Sequence, residues 1–98
     1  MNKRIFPESL QAVLWSKSLA NLELEQDKTY IIHQVLAYGL MEHLKWLFGV
    51  YPKSEIISVF LHYPVKIYTA RSLNFLKILL FDNKNYQLDA KLYVQNPL

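Results

Sequence analysis

From Asp27 to Phe81 the apolar residues return at three- and four-residue intervals, and the pattern breaks at Gly39, Pro52 and Pro64. That rhythm marks amphipathic helices, and the breaks are residues that end them. A chain built this way packs short helices against one another. With 98 residues it has room for one modest core.

The elements follow from the spacing. Leu10, Val13 and Leu14 fall at i, i+3 and i+4, and Pro7 suits a first turn, so a short helix is expected up to about Trp15-Ser16. Ser18 to Gln26 reads as an extended connection anchored by Leu19, Leu22 and Leu24. Asp27 is placed to cap a helix over Lys28–Tyr38, whose stripe is Ile31, Ile32, Val35 and Leu36. Gly39 suits a left-handed position after it. Leu40, Leu44, Leu47, Phe48 and Tyr51 predict the next amphipathic face, with Met41 and Trp46 beside it. Gly49 in its last turn points to the close approach of a neighbouring helix.

Lys53 to His62 forms the fourth predicted helix, with Ile56, Ile57, Val59, Phe60 and Leu61 as its apolar set, and Pro64 closes it. Thr69 caps a fifth helix reaching Leu80 or Phe81. Its polar stripe is narrow (Arg71, Asn74 and Lys77), so it is expected to be the central helix. Beyond Asp82 the period changes to two: Tyr86, Leu88, Ala90, Leu92 and Val94 alternate with more polar positions, which predicts a strand. Its partner is either Val65 to Thr69 or the edge of another chain. The fold class is therefore mainly α, a compact bundle of about five short helices with an extended or β-like C-terminal tail. Residues 1–81 read as the helical domain and 82–98 as the C-terminal extended segment.

Composition excludes several chemistries. There is no cysteine, so disulfides, thiolate metal sites and a cysteine nucleophile are out; two glycines cannot make a phosphate loop. No two of His33, His43 and His62 are spaced to share a helix face toward a metal. His33 and Gln34 read as the polar side of their helix. Glu42 and His43 are neighbours about 100° apart on a helix, a poor acid–base pair. Glu23, Glu25 and Asp27 precede a helix start, where negative charge is stabilising in any case. The serines lack a nucleophile-elbow or triad context. No enzyme activity, cofactor or metal is expected.

The net charge of +3 is spread over scattered basic residues, with only Lys3-Arg4 adjacent. No targeting segment is recognised, and the apolar run Ile78 to Phe81 falls far short of a membrane span, so the cytoplasm is the expected location. The aromatic load of 14% is generous for a small core and points to a surface covered by another protein. Trp46, Tyr86, Leu88, Leu92, Tyr93 and Val94 are the expected contact residues. An alternative reading is a helix-turn-helix-like DNA-binding regulator with Arg71, Asn74 and Lys77 in a major groove. A third is a homodimeric structural protein.

One further signal lies in Tyr30-Ile31-Ile32, Val35-Leu36, Tyr38-Gly39, Leu44-Lys45-Trp46-Leu47, Tyr51, Ile56-Ile57 and Thr69-Ala70-Arg71-Ser72-Leu73-Asn74-Phe75. Over Asp27 to Leu80 these residues resemble a family of small bacterial domains of unassigned biochemical function, often encoded beside nucleotidyltransferase toxins of the abortive-infection type. The chain departs from that pattern at Tyr51-Pro52, where the family commonly has Tyr-Gly, and at Leu76, where it has Trp. The resemblance implies an antitoxin-like or regulatory partner protein and carries over no catalytic residue.

Overall fold

Pro7 opens the first element of the computed structural model, which describes residues 6–95. That element is a 3-10 helix, Glu8–Ala12, rather than the longer helix expected. The reason lies in Gln11. Its amide nitrogen donates to the carbonyls of Leu14 and Lys17, at 2.9 and 2.8 Å, and its oxygen accepts from Leu19 N–H at 3.0 Å. Backbone groups that a longer helix would pair are satisfied by this one side chain as the chain turns. Leu10, Val13 and Leu14 are still buried, as their spacing predicts. A second 3-10 turn, Leu19–Asn21, follows.

The chain divides into two compact units, Met1–Val50 and Tyr51–Leu98. The first contains α1 (Lys28–Tyr38) and α2 (Met41–Val50). Asp27 precedes α1 but its side chain does not cap it. Its carboxylate accepts instead from Glu23 N–H at 2.9 Å and from the Lys17 ammonium at 2.6 Å. Those bonds, Lys17 first, hold its carboxyl below the ordinary value.

Ile31 to Leu36 are all buried, six in succession. A run longer than one turn leaves no side of the helix open, so α1 is the enclosed helix of its unit. This corrects two expectations. The later helix expected to be enclosed, Ala70–Phe81, buries only Leu73, Leu76 and Leu80, and His33 with Gln34 lies inside rather than on a polar face. Gln34 is admitted because its amide donates to Val13 carbonyl at 2.8 Å.

Gly39 is not left-handed. Its φ is −73° and ψ 155°, which any residue can adopt. Space is what demands glycine: a Cβ there would lie 2.6 Å from Val35 carbonyl oxygen and 3.0 Å from His43 Cβ. Gly49 has nothing within 4 Å of such an atom, so no neighbouring helix approaches it. In α2 the buried positions are His43, Leu44 and Leu47, whereas Leu40, expected on the core face, is exposed.

The second unit holds α3 (Lys53–His62), α4 (Ala70–Phe81) and α5 (Ala90–Tyr93). Thr69 caps α4 as expected. Its hydroxyl accepts from Ser72 N–H while Ser72 hydroxyl accepts from Thr69 N–H, both at 3.0 Å. The left-handed residue that ends a helix is Asp82, φ 54°, at the close of α4. Only Leu73, Leu76 and Leu80 of α4 are buried.

No strand forms among the described residues. The alternation from Tyr86 stops where Asp89 accepts from Lys91 N–H at 3.0 Å and turns the chain into α5. One parallel bridge, Tyr68 to Val94, remains of the expected pairing. Tyr68 N–H donates to Tyr93 carbonyl at 2.9 Å and Gln95 N–H to Tyr68 carbonyl at 3.0 Å. The segment after Phe81 is thus part of the second unit. Its Tyr93 ring stacks on Phe60, centroids 4.6 Å apart, with Tyr68 edge-on to Phe60 at 5.7 Å.

Candidate functional site

Two arrangements in the first unit could carry function, one polar and one apolar. The polar one joins the 3-10 helix to α2. Ser9 Oγ lies 3.0 Å from His43 Nε2 and donates to Glu42 Oε2 at 3.3 Å. His43 is buried, and its Nδ1 accepts from Leu40 N–H at 2.9 Å. That bond assigns the tautomer: Nδ1 bears no hydrogen, so Nε2 carries the ring proton and donates it to Ser9. A base that activates serine must present a free lone pair to the hydroxyl, and the facing nitrogen here presents a hydrogen. The cluster therefore fastens the segment before α1 to the start of α2. Glu42 and His43, read from sequence as ill-placed for each other, come to 3.6 Å through side-chain reach. Among the described residues no three or more His, Asp or Glu side chains are placed to hold a metal ion together.

The apolar arrangement surrounds the joint between α1 and α2. The Trp15 and Tyr38 rings lie 4.9 Å apart, tilted by 58°, and both are open to solvent. Leu40 and Met41 follow Tyr38 after Gly39, 65% and 59% exposed. Trp15 is 58% exposed, an unusual position for so large an apolar ring. Spacing puts Leu40 on the core face of the predicted helix and Met41 beside that face, which hides their exposure from the sequence. The signal that could have found them is Gly39: with a joint so short, Leu40 precedes α2 instead of lying on its face. Trp46, the contact residue expected here, is half-buried against Phe6, with centroids 5.5 Å apart.

In the second unit the expected contact residues divide. Leu92 is exposed, while Tyr86 and Leu88 are half-buried. Tyr86 lies flat on Phe81, with centroids at 3.8 Å. Tyr93 and Val94 are buried, which corrects their assignment to a contact surface. Tyr93 hydroxyl donates to Phe60 carbonyl at 2.7 Å. Four residues after Phe60 stands Pro64, which has no N–H to give, so Tyr93 supplies a bond the helix lacks. Burial pushes its hydroxyl above the ordinary tyrosine value, with Tyr86 adding to the shift. The Arg71 and Asn74 side chains expected in a DNA groove are exposed, and Lys77 is half-buried. They share α4 with the exposed Phe75 and Ile78. An apolar centre is poorly matched to phosphates. Lys3 and Arg4, the adjacent basic pair, lie outside the described residues.

These features describe a small helical domain with an exposed aromatic and aliphatic face. Its sequence places it more narrowly: the chain belongs to a family of unknown function (DUF6922), whose profile matches residues 10–60. Comparison with curated proteins and with solved structures gives no match. No helix among the described residues is long and apolar enough to cross a membrane.

Proposed function

We propose that this domain is a non-catalytic protein-binding module that docks its Trp15–Tyr38–Leu40–Met41 face on a partner protein and occludes it. The observation that carries the reading is the Trp15–Tyr38 ring pair, exposed yet held at 4.9 Å. Aromatic anchors already fixed in place lose little freedom on binding, which is why such residues dominate interface energies. All four residues fall within the stretch matched by the family profile, 10–60. The resemblance to bacterial domains encoded beside nucleotidyltransferase toxins makes the partner a toxin of that type, met in the cytoplasm, and the domain antitoxin-like.

The test is direct. The purified chain is titrated into a nucleotidyltransferase from its own gene neighbourhood, with nucleotidyl transfer and binding heat followed together. Trp15→Ala and Leu40→Ser are each expected to weaken binding by about tenfold or more, with unchanged circular dichroism. Full enzyme activity at saturating domain would reject occlusion, and wild-type affinity in both variants would reject the face.

A further inference from the structure

The outer face of α4 has a sequence pattern that matches itself. Arg71, Asn74, Phe75 and Ile78 lie along one stripe at helical spacing, opposite the buried Leu73, Leu76 and Leu80. Phe75 is 44% exposed and Ile78 is 52% exposed. Arg71, at the start of the stripe, and Asp82, which ends the helix, are both exposed, and neither forms an ion pair among the described residues.

We propose that this face pairs with the same face of a second copy of the chain, antiparallel about a twofold axis crossing α4 between Leu76 and Lys77. In that register Phe75 meets Ile78 of the second copy, and Ile78 meets its Phe75. Arg71 reaches Asp82 of the second copy and Asp82 its Arg71, one ion pair at each end of an apolar centre. Isologous pairing requires this reciprocity, and few single-helix faces satisfy it. A crossing of about 20° keeps both helix ends within reach of a long side chain. A foreign helix explains the apolar centre but not why opposite charges sit equidistant from it. A face of four paired side chains per copy is small beside a standard interface of about 800 Å² per partner, so a micromolar or weaker dimer is expected.

Sedimentation equilibrium over a range of concentrations tests this with the intact chain and the variants Arg71→Glu, Asp82→Lys and Ile78→Ser. Each is expected to raise the dimer dissociation constant by about tenfold or more. Each charge reversal alone sets like charges together at both ends of its own dimer. An equimolar mixture of the two reversals restores both pairs, and the mixed dimer is expected to return to within a few-fold of wild-type affinity. A wild-type chain that stays monomeric, a dimer indifferent to Ile78→Ser, or a mixture that fails to recover overturns the pairing. Helical circular dichroism identifies any variant that misfolds; if a charge reversal does, Ile78→Ser and Phe75→Ser decide.

Discussion

The two glycines of this chain make opposite predictions from the same chemistry. At Gly39 an added methyl meets Val35 carbonyl oxygen at 2.6 Å and must push the joint between α1 and α2 apart. Gly39→Ala is expected to destabilise by about 1–3 kcal/mol. At Gly49, in the last turn of α2, the methyl enters open space and removes backbone freedom from the unfolded chain. Gly49→Ala is expected to stabilise by up to about 1 kcal/mol, both measured by urea denaturation. Tyr93 carries a different test. Tyr93→Phe loses the bond to Phe60 carbonyl, worth about 1 kcal/mol near neutral pH. Its hydroxyl titrates above the ordinary tyrosine value because burial disfavours the anion. The folded state thus keeps a proton that the unfolded chain sheds above about pH 10. Wild-type stability should therefore be full below that pH and fall as pH rises above it, toward and through the raised value. Phenylalanine has no proton to lose, so the variant's alkaline decline should be shallower.

Among the elements, those with strong terminal signals were the readable ones. Thr69 with Ser72 three residues on, and Pro52 before α3, mark helix ends that the backbone adopts. What spacing cannot reveal is which helix is enclosed. α1 looked half-polar because His33 and Gln34 count as surface residues by type, yet a glutamine amide paired with Val13 carbonyl is at home in a core. The tail misled for a similar reason. Its alternation is real through Asp89, but an aspartate followed two residues later by a free N–H is also a helix start, and that local bond won. Because Tyr93 and Val94 are core residues, removal of the chain from Asp82 onward is expected to unfold the second unit. Deleting one buried aromatic alone costs about 3–5 kcal/mol. Thermal unfolding of the truncated chain followed by circular dichroism checks this.

Over the molecule as a whole, charge is divided unevenly. Met1–Val50 carries five basic and five acidic residues, and Tyr51–Leu98 six and three, so the excess positive charge lies entirely in the second unit. Helical class was legible from periodicity. The exposed face of the first unit was not, since Leu40 fits the core-face spacing and yet lies in the joint before α2. Sequence also held the clue to the second unit's closure. Pro64 has no N–H to offer the Phe60 carbonyl four residues before it, and the Tyr93 hydroxyl donates there. The consequence is that the last stretch and the rest of this unit are expected to fold together even when the link between them is cut. A protease nick in the exposed turn Asn83 to Asn85 should yield two fragments that reassemble spontaneously, with Tyr93 as the key that fits the lock. Fused to the halves of a reporter, they would make this small unit a self-assembling split tag.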